Sequence, residues 1–174
     1  MEEIEVPVEH LQEEIQHHAA DSAGHHAAWN SVVALTSALL AVFAAVTALL
    51  SGHFANEAML EQMRSSDIWS HYQAKSIKSM IVSSAPQKGE KEEKKIEEYR
   101  AEMKDLEAEA RHEEEASRHH LALHEIFARS VTLFQVAIGI AAVSVLTRKR
   151  MFFIVSMGFS LVGILFMTQG LLKL

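Results

Sequence analysis

Apolar and charged residues are segregated along this chain rather than interleaved. Three stretches, residues 27–52, 130–147 and 151–172, contain no Asp, Glu, Lys or Arg. A hydrocarbon core about 30 Å thick needs about 20 apolar residues of helix, so each stretch is long enough to span it. A soluble core would mix apolar and polar positions at helical or strand period. The pattern predicts an all-α integral membrane protein with three transmembrane helices and a long extramembrane antiparallel helical hairpin of coiled-coil character. The expected layout is an acidic, histidine-rich arm (1–28), a first span (29–52), the hairpin (53–129, turning near 83–90) and two further spans (130–147 and 151–172).

Within the first span, Asn30, Ala34, Ser37, Ala41, Ala44, Ala48 and Ser51 recur at 4-3 spacing, and every member is small or polar. Small residues let helix backbones approach closely in lipid. The stripe therefore reads as a packing surface, with a pore lining as the second reading. Val33, Leu40, Phe43 and Leu50 fall on the other side and suit lipid or a looser contact. The spacing continues through Ala55, Ala58, Gln62, Ser65, Trp69, Tyr72 and Ser76, which predicts one helix from about residue 30 to about residue 82. In the arm, Leu11, Ile15 and Ala19 suggest a short separate helix after Pro7.

Residues 83–89 (SSAPQKG) are turn-forming. Beyond them Ile96, Tyr99, Met103, Leu106 and Ala110 keep the a/d heptad of a coiled-coil seam. The register passes through Glu113, Ser117, His120 and His124 and turns apolar at Phe127, Val131, Phe134 and Ile138. A second long helix should thus run into the second span. Trp69, Tyr72 and Tyr99 are expected as packing aromatics in the seam, with Asp67, Gln73 and Lys75 pointing elsewhere. Residues 147–150 form a tight loop, and Gly158, Gly163 and Gly170 look ordinary for a membrane helix.

Charge narrows the function. The net charge of −7 argues against a nucleic-acid partner, which calls for a basic face. The absence of cysteine excludes thiolate catalysis and thiolate metal sites. No phosphate loop, nucleophile elbow, zinc-protease helix or dinucleotide fingerprint occurs, so no catalytic residue is assigned and no enzyme is expected. No span carries a charge at its centre, which leaves an ionisable relay unsupported. The first apolar run reads as an uncleaved span rather than a signal peptide. Orientation is frustrated: Arg64, Arg118, Arg129 and Lys173 flank the hairpin side, but Arg148, Lys149 and Arg150 abut two spans and by the positive-inside rule favour a cytoplasmic N-terminus and a periplasmic hairpin.

Eleven histidines are the remaining chemistry. Five lie in the arm (His10, His17, His18, His25, His26), and His112, His119, His120 and His124 cluster on the second long helix. If the two hairpin helices are antiparallel with His53 level with Arg129, Glu57 and Glu61 face the heights of His124 and His120. Two carboxylates and two imidazoles, each pair at i, i+4, suit a divalent metal; no other cofactor is indicated. Histidine also changes charge near neutral pH, so protonation within the seam is a second use for His120 and His124.

Residues 55–78 read ANEAMLEQMRSSDIWSHYQAKSIK. This run resembles the bacterial membrane-protein family catalogued as domain of unknown function 4337. The acidic start (EEIEVPVEHLQEEIQ), the Ala-rich first span and the paired C-terminal spans fit the same pattern. The resemblance covers nearly the whole chain. It implies a multi-pass protein of the bacterial inner membrane and brings no activity or site residues. The expected partners are the lipid bilayer, further copies of the chain and a protein partner at the hairpin. The expected function is a non-enzymatic homo-oligomeric scaffold presenting a charged helical stalk; the alternative is an oligomeric ion channel or transporter gated by pH or divalent metal.

Overall fold

The computed structural model describes residues 8–84 and 89–174, with side chains from Ala28 onward. The arm's acidic and histidine side chains and residues 85–88 of the predicted turn lie outside the described residues. The chain forms three helices, α1 (Val8–Ser83), α2 (Glu90–Thr147) and α3 (Arg150–Leu171), and the described residues contain no strand. All three are long and apolar enough to cross a membrane.

Helix α1 starts at Val8, not near residue 30. The expected arm helix and the first long helix are one element. Between Val8 and the first apolar run only Gly24 disfavours helix, and one interior glycine costs about 1 kcal/mol, too little to break a helix of 76 residues. At its end, the Ser83 and Ser84 hydroxyls both donate to the Met80 carbonyl, at 2.8 and 2.9 Å, meeting an acceptor the last turn leaves open. Helix α2 opens with a capping interaction: Gly89 N–H donates to Glu92 Oε2 at 3.1 Å. Glu90, Glu92 and Glu93 fill its first turn, where the helix dipole favours anions. It stops where Arg148 enters the left-handed region (φ 56°), a common helix ending. Ser144 Oγ then donates to Lys149 O at 3.2 Å.

The described chain divides into two compact units. One is Met1–Ala45 with Val131–Ile164. Here Val33, Leu40, Phe134, Ala137 and Ala141 are buried, and Phe43 stacks on Phe134 at 6.2 Å. Helices α2 and α3 are tied by Ser156 Oγ donating to Ala137 O at 2.7 Å. The Phe134 ring lies against Gly163, where a Cβ would come within 2.9 Å of it.

The other unit is Val46–Ser130 with Leu165–Leu174. Its α1 and α2 segments pack antiparallel through a repeated serine contact. Ser51 Oγ donates to His124 O (3.3 Å), Ser117 Oγ to Ala58 O (2.8 Å) and Ser65 Oγ to Ala110 O (3.1 Å). Positions 51, 58 and 65 are seven apart, as are 124, 117 and 110. A short hydroxyl reaches an opposing carbonyl only where the backbones are close, and small residues at each heptad permit that approach. Each bond contributes about 1 kcal/mol. Phe54, Leu123 and Phe127 form the apolar core beside this ladder, with Leu50 against it. The Phe127 ring rests on Gly170.

Every predicted seam position of α2, from Ile96 to Ile138, is buried or half-buried. In α1 the row from Ser37 to Tyr72 follows the prediction, whereas the other row follows it only at Ala55, Trp69 and Ser76, which are half-buried. Ser37, Ala44, Ser51, Ala58, Ser65 and Tyr72 lie on the seam, whereas Asn30, Ala34, Ala41, Ala48 and Gln62 are exposed. The second row is instead Leu40, Thr47, Phe54, Glu61, Ile68 and Lys75, all buried or half-buried. Val33 and Leu40, expected to face lipid or a looser contact, are 1% and 5% exposed and so do not face lipid. Small size alone misjudges such a seam, because large side chains of one row fill the space that small residues of the other leave.

Candidate functional site

The predicted carboxylate–imidazole cluster lies in the unit built on Val46–Ser130. Ser51, Phe54, Ala58 and Glu61 share the seam face of α1, and Ser117, His120 and His124 share that of α2. His120 Nδ1 lies 2.9 Å from Glu61 Oε2. The side chains are 28% and 12% exposed, so the pair is partly shielded from water. The His120 ring also stacks on Phe54 at 5.8 Å and neighbours His119 at the same distance.

His124 takes a different partner from the expected one. Its Nδ1 lies 2.9 Å from the Ser51 carbonyl oxygen and 3.0 Å from Ser51 Oγ. A carbonyl oxygen only accepts, so His124 holds a proton on Nδ1. A carboxylate likewise only accepts, which sets the Nδ1–H form for His120. In the neutral form of each ring the lone pair is then at Nε2. Glu57 is half-buried and joins neither pair.

This arrangement changes the metal reading. Glu61 acts on His120 as the carboxylate that orients a metal-bound imidazole would, rather than beside it as a fellow ligand. Among the described residues no three His, Asp or Glu side chains gather as metal ligands. Of the four residues, Glu61 and His120 pair with each other, His124 pairs with Ser51, and Glu57 stands apart from both. We expect Glu61→Ala and His120→Ala to couple by about 1–2 kcal/mol in a double-mutant cycle. Glu57→Ala and His124→Ala should add within about 0.5 kcal/mol. Denaturant unfolding in mild detergent measures both.

Further along the seam the three predicted packing aromatics, Trp69, Tyr72 and Tyr99, are half-buried. Trp69 meets Tyr72 edge-on at 5.3 Å, and its indole N–H donates to Glu114 Oε1 at 3.0 Å. Lys75, expected to point away, is instead ion-paired with Glu102 and sits 5.4 Å above the Tyr99 ring. The hydrogen bond with Glu102 raises the Lys75 pKa above the ordinary value of 10.5. That contribution to stability is complete below the ordinary lysine value and is lost as pH rises through the raised one.

Of the proposed stripe, Ala44 and Ser51 are buried, Ser37 is half-buried, and Asn30, Ala41 and Ala48 are exposed. The chain's own helices cover only part of it. Sequence reasoning missed the serine ladder, the glycine seats of Phe127 and Phe134, and a cluster in the first unit. In that cluster Trp29 meets Phe153 edge-on at 5.1 Å and carries the Arg150 guanidinium 5.0 Å above its ring. The visible clue was the pairing of aromatic and basic residues at the ends of apolar runs.

Fold and seam define an all-helical protein whose three helices are long and apolar enough to cross a membrane. The chain belongs to the family described as Domain of unknown function (DUF4337), whose model matches residues 29–173. No curated protein and no solved structure matches it.

Proposed function

We propose that this is a multi-pass protein of the bacterial inner membrane that acts as a non-enzymatic homo-oligomeric scaffold. Residues 29–52, 130–147 and 151–172 would be its spans. Residues 53–129 would be an extramembrane antiparallel hairpin that presents a charged stalk to a protein partner. The basic loop at 148–150 favours a cytoplasmic N-terminus and a periplasmic hairpin. Large apolar side chains point outward from the uncharged segments, among them Leu35, Leu49, Leu146, Ile154 and Leu161, as a lipid-facing surface requires.

One observation carries the oligomer. The small residues Ala34, Ala41 and Ala48 remain exposed, although backbone proximity in lipid is what such a stripe provides. A second helix, from another copy, would seat there. Exposed Met59, Leu60 and Met63 on the same helix give the stalk a further apolar surface for a neighbour.

Mass photometry and crosslinking in mild detergent test this reading. The wild type is expected as a defined oligomer, and Ala41→Leu/Ala48→Leu as smaller species with unchanged helicity. Monomers alone in the wild type would defeat it. Steady conductance in planar bilayers would instead favour the channel.

A further inference from the structure

We propose that Arg148, Lys149 and Arg150, with Trp29, form a binding surface for the phosphate of anionic lipid headgroups. The inference rests on the membrane reading and adds a lipid preference at one rim of the protein.

The first observation is a cluster of positive charge with no carboxylate partner among the described residues. Residues 28–45 and 131–164 contain no Asp or Glu, and Arg148, Lys149 and Arg150 are their only charged residues. All three are exposed. Among the described residues none of the three has a carboxylate partner; the ion pairs lie elsewhere. Toward the N-terminus the nearest acidic position is Asp21, eight residues before Trp29. Helix α1 is continuous there, so Asp21 lies about 12 Å further along its axis.

The second observation is geometric. Arg150 is held over the Trp29 ring at 5.0 Å, and Phe153 braces that ring at 5.1 Å. A guanidinium kept on an aromatic face loses little further freedom when it binds an anion. Trp29 Nε1 is buried and has no hydrogen-bond partner among the described residues, and indole can only donate. The left-handed turn at Arg148 keeps Arg148 and Lys149 in a two-residue connection, directly before Arg150 at the start of α3. The exposed Arg148, Lys149 and Arg150 side chains thus offer N–H donors and positive charge to acceptor oxygens with negative charge, and Trp29 positions the Arg150 guanidinium among them. Phosphate supplies both, and tryptophan beside arginine at the end of an apolar run suits headgroup depth.

The test uses the full-length protein in mild detergent with phosphatidylglycerol and phosphatidylcholine of matched chains. Native mass spectrometry reads which lipid is retained. The wild type is expected to enrich phosphatidylglycerol, and the enrichment should fall about five-fold for each cation removed. Arg148→Gln/Lys149→Gln/Arg150→Gln should abolish it. Arg148→Lys/Arg150→Lys should retain most of it, which separates charge from folding. Arg129→Gln, at an exposed arginine paired with Glu125, should leave it unchanged. Equal retention of both lipids by the wild type, or a preference that survives the triple substitution, overturns the proposal. So does inorganic phosphate that displaces phosphatidylglycerol and alone gives the same thermal stabilisation, since the site would then serve free phosphate. Failure of the membrane reading is a different result: the protein would float with neither neutral nor anionic vesicles.

Discussion

Phe127→Ala is expected to lower the stability of the folded protein by about 3–5 kcal/mol, the range for losing a fully buried phenyl ring. The ring is 0% exposed and is held on several sides. Phe54 stacks on it at 5.7 Å with the planes only 10° apart. Leu123 completes the cluster, and Gly170 of α3 lies directly against the ring edge. Truncation would leave a cavity walled by α1, α2 and the α3 backbone, and α1 and α2 are held at their spacing by the serine ladder. The loss is therefore mainly one of dispersion contacts, and it should appear whether the segment is bathed by water or by detergent. Leu121→Ala supplies the control. Leu121 is on the same helix but 48% exposed, and its truncation should stay within about 0.5 kcal/mol. Denaturant titration of both variants in the same micelles measures the difference. A cost under about 1 kcal/mol for Phe127→Ala would mean that α3 does not hold the ring.

The same cluster shows what could be read from sequence. The α2 seam was legible throughout, because charged residues between 90 and 129 throw the apolar heptad positions into relief and the register carries on into Phe134. The α1 seam was half legible. Its small row, Ser51, Ala58 and Ser65, is visible as small residues at seven-residue spacing. Its large row is not, because Thr47, Phe54, Glu61 and Lys75 share no single property. What unites Phe54, Glu61 and Lys75 is the partner each finds on α2.

The carboxylate–imidazole site divides in the same way. Mirroring residue numbers across an antiparallel turn was enough to bring Glu61 to His120, since both ends of that contact are side chains. It failed for His124, whose Nδ1 proton goes to a backbone carbonyl. Every residue carries that acceptor, so sequence cannot single one out. Lys75 is a related case. Its ion pair with Glu102 depends on a lysine stem lying along Tyr99, and long amphipathic side chains of this kind defeat any simple inside–outside rule.

Least legible were the glycines, and the second large effect is expected there. Gly163→Ala and Gly170→Ala should each cost about 1–3 kcal/mol, the range for overpacking a filled core. An added Cβ at Gly170 would lie 2.6 Å from Phe127 Cζ, and one at Gly163 would lie 2.9 Å from Phe134 Cε1. Neither ring has free space to move into, because both are 0% exposed. The two glycines are seven residues apart, and so are the two phenylalanines. One seating is thus repeated, once in each unit. Gly158→Ala makes the opposite prediction. Nothing lies within 4 Å of a Cβ there, so the intrinsic helix preference decides, and alanine should stabilise by about 0.5–1 kcal/mol. If glycine served only flexibility in α3, the three substitutions would behave alike. If it serves close approach, Phe127→Leu should recover part of the loss in Gly170→Ala and nothing in Gly163→Ala. Thermal unfolding of these variants in one detergent compares the two accounts. Rescue confined to the contacting pair would show that the large side chains of α2 select the register of α3, a role that hydropathy alone does not give a glycine in an apolar run.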